Sequence, residues 1–581
     1  MEIRENGVIL QVVADGGGEF ASVASGQHVA AFADARQVVV RDGAFWRVAT
    51  LEPGMWRLDG SFALPGASGN LCAGFVSRDV SGANGIFAIQ PSLEVRFGGN
   101  TDLPDVTFMF DPLIDGVVST MQVQAFNAAG TVVFDRLIFA NAQNGAPHAL
   151  STGEMRGAFR ILARMVRTAT PFRRARIARV HFAPAMIFTN DDILGMGVLH
   201  EADVEGKGLP ANKLSLKIAN EGRFSVLDSP RAMNILQSGA TMQLSLANRH
   251  VYEHFANYYL DKWDITNAFV KMDGYSRVKQ LDGGVFMGSH FGLEHLGDLA
   301  RRIGRECGVE VIVPHVMNTY PRFPGFTGNV THRQALAQLA KLASCTIFED
   351  KAGRVHFVDL TSIHQGTLTD DIDFEESFAP PEISQNAYYN GIRLSEHKVS
   401  LEQGLVASVE FDVASALSIR INYDNPVWGN AAITVNQGFG ITNIHQSATH
   451  MRALITGNGR ATVTVRGWRA SMLTTQLFYP APWKKDEEDE KPYIVNLPMF
   501  ITNAVHMGSV RAWFLNRKFA LLERLMFCKT KWRQRTTSEL GDNTHVQIDI
   551  SGRTVRTRAI KHEITLDKGI MRGATKGVVL E

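Results

Sequence analysis

One stretch of this chain has residue types and spacing that match a catalytic signature: His250-Val251-Tyr252-Glu253-His254. On a helix, HxxEH sets two imidazoles one turn apart on one face, where they can hold zinc, with the glutamate free to act as general base. The context opposes it. Apolar alternation places one strand up to Leu246 and another from about Asn257, which leaves little room for a long ligand helix, and no downstream helix offers a third carboxylate at a convincing spacing. With 18 histidines in the chain, so short a match arises easily by chance. His250, Glu253 and His254 therefore stay weak metal candidates; the expectation is no metal, no cofactor and no catalytic residue. His290 and His295 have the wrong spacing for a one-turn pair. Gly16-Gly17-Gly18 lacks the Lys-Ser/Thr and the βαβ setting of a phosphate loop.

Two further chemistries deserve weighing. Trp46 and Trp56 lie in a β-rich region, and exposed aromatics on a sheet can stack on sugar rings, although tryptophans are more often largely buried. Six arginines between Arg164 and Arg179 could hold an anion; a solvated basic sheet face is the simpler expectation.

The elements that would position such residues are mostly strands. To about Ile187 the chain runs in short alternating or β-branched stretches, such as Met121–Phe126 and Thr131–Asp135, punctuated by Gly and Asn, the texture of a β-sandwich. Leu214–Ile218, Thr241–Leu246 and Asn257–Ile265 continue the strand pattern. Helical spacing then enters. Leu293, Leu296, Leu299 and Ile303 share one face over 291–306, and Ala335, Leu336, Leu339 and Leu342 follow Thr331, a candidate N-cap. Cys345–Asp350 and Arg354–Val358 read as a hairpin about Lys351-Ala352-Gly353. Strands resume, clearest over Ala461–Trp468. A charged loop covers 484–492, a helix is expected over Val510–Phe527, and a last hairpin turns at Ser551-Gly552.

Composition bounds the classes. Of 581 residues, 45% are hydrophobic, 59 are basic and 58 acidic, so no global field draws the chain to nucleic acid or membrane. The cysteines Cys72, Cys307, Cys345 and Cys528 form no CxxC pair and read as buried or semi-buried thiols. No signal peptide is evident at the N-terminus, and no window approaches a membrane span.

The order of these pieces resembles the central hub proteins of bacteriophage tail tips. The strand Leu214–Asn220 with its Asn220-Glu221-Gly222-Arg223-Phe224 turn is followed by the Gln237-Ser238-Gly239 step. Then come Tyr258-Tyr259-Leu260-Asp261-Lys262-Trp263, Thr331-His332-Arg333-Gln334-Ala335-Leu336 and Gly353-Arg354-Val355-His356-Phe357. Asn220, Gly222, Phe224, Gln237, Gly239, Asp261 and Trp263 carry the structural motif. The region up to Ile187 is similar to galactose-binding-like jelly rolls.

The resemblance implies a mainly β, multi-domain chain. A jelly-roll-like sandwich (1–187) precedes a first hub β domain (188–287), a small α/β insertion (288–375) and a second hub β domain with closing hairpin (376–581), the hub domains being barrel-like. It also implies a homotrimer in the virion tail tip that joins a sixfold tube to threefold tip structures and closes the channel until DNA ejection. The partners implied are a distal tail ring protein, a tape-measure protein and tip fibres or receptor-binding proteins, with transient passage of DNA. The rival reading is a host-surface glycan-binding adhesin.

Overall fold

Lys213–Ala219 shows why these residues make strands: its side chains alternate exposed and buried along the whole element, so a single face meets the core. The computed structural model describes residues 8–13, 20–24, 29–39, 45–46, 48–53, 55–56, 74–110, 118–139, 149–204, 208–220, 236–248, 251–286, 294–319, 322–323, 330–359, 381–385, 389–446, 449–485, 489–497, 504–523, 526–532, 540–541, 543–547, 553–567 and 570–580. The chain is mainly β and multi-domain, with several sheets around separate cores.

A thirteen-stranded antiparallel sheet forms the spine. Its path runs through Ala185–Phe188, Val8–Val13, Thr241–Asn248, Val251–Ile265, Phe269–Tyr275, Lys213–Ala219 and Ile193–Glu201. It continues through Thr554–Asp567, Ile570–Val579, Met526–Trp532 and Glu382–Gln385. The path is open, so the expected barrel does not close among the described strands. One seam, Ile193–Glu201 against Thr554–Asp567, joins the strands from the first half of the chain to those from its end. Ile564 and Leu566 share the core of Leu214, Leu216, Met242 and Tyr258, so the closing hairpin is integral to that core.

The sandwich is inserted into this spine. Val8–Val13 pairs with Ala185–Phe188 and with Thr241–Asn248, which places entry to and exit from the sandwich side by side. Between them a five-stranded sheet, including Ser92–Leu103, Val118–Phe126 and Met155–Thr168, faces smaller sheets built from Phe75–Val80, Thr107–Met109, Arg174–Ile177 and Arg179–His181. Val95, Val123, Ile161 and Ala163 on one side and Phe75, Phe108, Ile177 and Val180 on the other share one core.

The α/β unit forms where expected. Leu296–Glu306 and His332–Ala343 are helices, and Cys345–Glu349 pairs with Val355–Asp359. Thr331 caps the second helix with a capping box: its hydroxyl accepts from Gln334 N at 3.1 Å while Gln334 Oε1 accepts from Thr331 N at 3.1 Å. The unit is not closed on itself. Ile392, Tyr493, Val495 and Phe514, far along the chain, complete its core.

Two strands of unusual length follow. Gly391–Val413 pairs with Gly459–Pro480 over nearly their full extent and ends in a small β unit with its own core around Ile419, Ile455 and Val463. The helix expected over Val510–Phe527 instead spans Ala504–Glu523, and Met526 starts a strand. Phe527 and Cys528 are taken by ladders to Ser384 and Ile383 on one side and to Val578 and Gly577 on the other, and those ladders override local helix preference. The charged loop over 484–492 is anchored in its described part: buried Asn390 donates to Asp489 O at 2.6 Å and accepts from Lys491 N at 2.6 Å, and Arg393 pairs with Glu490 at 2.8 Å. Residues 486–488 lie outside the described residues.

Candidate functional site

Five of the seven residues singled out in the sequence, Asn220, Gln237, Gly239, Asp261 and Trp263, are described. Asn220, buried, donates its side-chain amide to Thr266 O at 2.7 Å, and its backbone N–H reaches Ala268 O at 3.1 Å. It thereby ties the end of its strand to the turn before Phe269–Tyr275. Gly239 has φ +92°, in the left-handed region that glycine adopts without strain, and donates to Leu260 O at 2.8 Å. The turn is closed by Ala240 N to Gln237 O at 3.0 Å, with the Gln237 side chain exposed. Asp261 sits at a register shift between Leu260 and Lys262, exposed, and Trp263 packs half-buried on the core. Gly222 and Phe224 lie outside the described residues. The contacts these described residues make are backbone tethers and a packed indole.

The HxxEH segment falls on the strand Val251–Ile265, not on a helix, so the one-turn pairing needed for zinc is not formed by this element. His254 Nε2 lies 3.0 Å from Asn257 Oδ1. His250 is outside the described residues. Among the described residues no group of three or more His, Cys, Asp or Glu is placed to hold a metal ion. The strand reaches back to Val251 through its ladder to Thr241–Asn248, which pairs Asn248 with Val251, and through the pairing of Phe45-Trp46 with Val251-Tyr252, a contact invisible to local periodicity. Of the tryptophans, Trp56 is 60% exposed, and the Trp46 backbone lies in that short edge pairing. Three of the four cysteines are described and free. Cys345 and Cys528 are buried, and burial pushes the Cys345 thiol up to about 12.

The arginine-rich stretch corrects the expectation of a solvated face. Arg173, Arg176 and Arg179 are buried. Arg176 pairs with buried Glu52 at 2.8 Å, Arg174 N donates to the same carboxylate at 2.6 Å, and the Arg174 guanidinium donates to Ser77 O at 2.9 Å and to Arg78 O. Arg179 reaches Gln243 Oε1 at 3.2 Å, which ties the last sandwich strands to the spine. These cations are internal struts of the sandwich and of its attachment. Local sequence cannot reveal this, because Glu52 is more than 120 positions from Arg176.

A second polar junction escaped the sequence reading. Glu349 at the end of the hairpin strand is buried and hydrogen-bonded to the Ser276 hydroxyl, while Asn212 donates to Glu349 O at 3.1 Å and accepts from Ser276 N at 2.9 Å. Burial pushes Glu349 up to about 7, despite the hydrogen bond from Ser276. Nearby, His200 Nε2 meets Tyr258 OH at 2.6 Å, both groups buried, and His200 lies directly across the seam from His562. Burial, with the charges of His562 and Lys351, holds His200 down to about 3. A cleft of about 250 Å³ opens beside this junction, lined by Asn212, Gln243, Asn257, Ser276, Glu349 and Lys351 among others. The junction is where the spine, the α/β unit and the closing hairpin meet, so its chemistry bears on how the parts hold together.

No family model matches the chain, and no curated protein matches it. Among solved structures, the chain is similar to a 43 kDa tail protein of prophage MuSo2 from Shewanella oneidensis, at 11% identity and a TM-score of 0.38 over 68% of this chain and 96% of that one. It is similar also to a tail protein from Neisseria meningitidis MC58, at 10% identity and 0.35 over 67% and 92%. An Escherichia coli type VI secretion component, described as structurally similar to the T4 bacteriophage tail proteins gp27 and gp5, aligns at 6% identity and 0.32 over 67% and 73%. No helix among the described residues is long and apolar enough to cross a membrane.

Proposed function

We propose that this chain is a structural component of a phage tail tip, a central hub whose copies form a ring between the sixfold tail tube and threefold tip structures. The supporting observation is topological. The strands Lys213–Ala219 and Val251–Ile265, which adjoin or carry the motif, flank Phe269–Tyr275 in one sheet, and the closing hairpin completes that sheet from the other end of the chain. The small α/β unit docks at that junction. In this reading the sandwich (1–187, less its first strand) is an appended module, units 188–287 and 376–581 build the ring, and unit 288–375 buttresses them. The role is geometric rather than catalytic: symmetry adaptation and closure of a channel through which DNA later passes. Its partners are copies of itself, the distal tail ring, the tape-measure protein and the tip fibres.

The test is the mass of the purified chain by light scattering with electron microscopy of the particles. Three copies per particle and a threefold ring with a central channel are expected. A strict monomer at high concentration overturns the reading.

The adhesin reading has one observation in its favour, the exposed Trp56. An exposed indole offers a stacking face for a sugar ring. A glycan array probed with the full chain is expected to show no binding that depends on Trp56. Binding lost on Trp56→Ala would make the sandwich a receptor module.

A further inference from the structure

Three turns of the sandwich carry almost no charge. Residues 48–56, 80–91 and 168–172 hold one ionisable side chain between them, Glu52, in a chain of which 20% is charged. Glu52 is buried and paired with Arg176, so the described residues of these turns expose no charge. What they expose is apolar. Leu51, Trp56, Ile89 and Phe172 are 107%, 60%, 62% and 51% exposed, and Val80 and Ile86 are exposed with them. Scattered apolar side chains are ordinary on a surface, but large ones gathered on adjoining turns mark a contact surface.

The turns are tied together from below. Ser81 N donates to Arg173 O at 2.9 Å, Arg173 N donates to Ser81 Oγ at 3.1 Å, and the Ser81 and Thr168 hydroxyls meet at 2.7 Å. Thr168 N donates to Gly85 O at 2.9 Å, and Arg174 N donates to Glu52 at 2.6 Å, which fixes the first turn against the third. Phe172 has φ +57°, a backbone region that strains a bulky residue. Its ring stays half in water, so packing within this chain does not explain the strain. Exposed charges begin just behind the tips, with Arg78 and Asp79 on the strand Phe75–Val80 and Arg167 on the strand Met155–Thr168.

We propose that these turns insert into the interfacial layer of a phospholipid bilayer, the apolar tips entering the acyl boundary while Arg78 and Arg167 meet lipid phosphates. The charge pattern selects this occupant. A protein partner tolerates charged groups in the rim around an apolar patch. A bilayer rejects charge from whatever enters it and accepts arginine at the level of the headgroups, which is the order found here from tip to base. Trp56 and Phe172 are side chains suited to the boundary between headgroup and acyl chain. The tips belong to three separate turns, and a fluid layer fits around such knobs without a matching groove. The inference goes beyond the ring reading and does not depend on it, since a single copy presents the same tips.

The experiment uses the full chain and sedimentable vesicles, one set of phosphatidylcholine alone and one with a quarter of phosphatidylglycerol. Wild type is expected to pellet with both sets, and more strongly with the second. Leu51→Ser/Phe172→Gly is expected to bind roughly tenfold more weakly or worse, because two apolar side chains no longer enter the layer. Glycine accepts the backbone of position 172 without strain, so the melting midpoint of this variant is expected to be no lower than that of wild type, which separates lost binding from lost folding. Arg78→Gln/Arg167→Gln is expected to keep binding to phosphatidylcholine and to lose the preference for phosphatidylglycerol. A wild type that stays in the supernatant over both sets overturns the proposal and leaves the patch to a protein partner. Equal binding by wild type and the Leu51/Phe172 variant also overturns it. Binding that high salt abolishes shows adsorption by charge alone and overturns insertion. Light scattering of the same sample reports separately on the ring reading.

Discussion

Glu52→Gln is expected to destabilise the sandwich by about 3–5 kcal/mol, the range for leaving one partner of a buried ion pair uncompensated. The side chains of Glu52 and Arg176 are 3% and 8% exposed and 2.8 Å apart, and the same carboxylate accepts from Arg174 N at 2.6 Å and from the Thr50 hydroxyl at 2.5 Å. Gln keeps the shape and some of the hydrogen bonds but removes the charge that balances Arg176. Chemical denaturation of wild type and variant at pH 7 measures the difference; a change under about 1 kcal/mol would show that water reaches Arg176. The pH dependence has a definite sign. Burial alone would raise the Glu52 pKa, but the Arg176 charge and the hydrogen bonds from Arg174 and Thr50 outweigh it and hold the carboxyl below 4.5. The folded pKa being depressed, its contribution is present above 4.5 and lost as pH falls through the folded value. Wild type therefore loses stability below 4.5 through this group, and the variant's profile is flatter there.

Glu349→Gln is expected to stabilise the junction at pH 7 and above by about 3 kcal/mol, the free energy corresponding to a carboxyl raised from 4.5 to about 7. Folding favours the protonated acid, so its contribution is greatest below 4.5 and is lost as pH rises toward 7. His200 runs the other way. Held at about 3 against its ordinary 6.5, it contributes above 6.5 and loses that contribution as pH falls toward 3. In the wild type the two slopes oppose each other between 4.5 and 6.5 and flatten the profile. Glu349→Gln removes one of them, so stability of the variant is expected to rise with pH across that window, while a His200→Gln variant is expected to fall. Melting midpoints from pH 4 to 8 for the three proteins test this. Parallel profiles would mean that neither group titrates in contact with the folded junction.

Much of the local architecture was legible because local physics dictates it. Thr331 followed three residues later by Gln334 satisfies its own helix end, and the leucines of His332–Ala343 need only a partner layer. The hairpin about Lys351-Ala352-Gly353 closes on its own turn, Gly353 adopting φ +81°. The texture of the sandwich and the thiol character of the three described cysteines followed likewise from pattern and composition.

What the linear pattern lacked was every decision that depends on residues far apart in the chain. Val8–Val13 has the alternation of a strand, but nothing in it says that its partners are Ala185–Phe188 and Thr241–Asn248. The sandwich is therefore an insertion and not a leading domain. Arg173, Arg176 and Arg179 look like a wet basic face until Glu52 and Gln243 arrive from other elements. Met526–Trp532 leaves the expected helix because ladders on both sides claim it. Glu349 and His200 acquire shifted pKa values only through burial by elements from three regions. Side-chain period, turn chemistry and caps act over a few residues, and those are written in the linear chain. Strand order and the burial of charge arise from long-range pairing, which no local window of the chain contains.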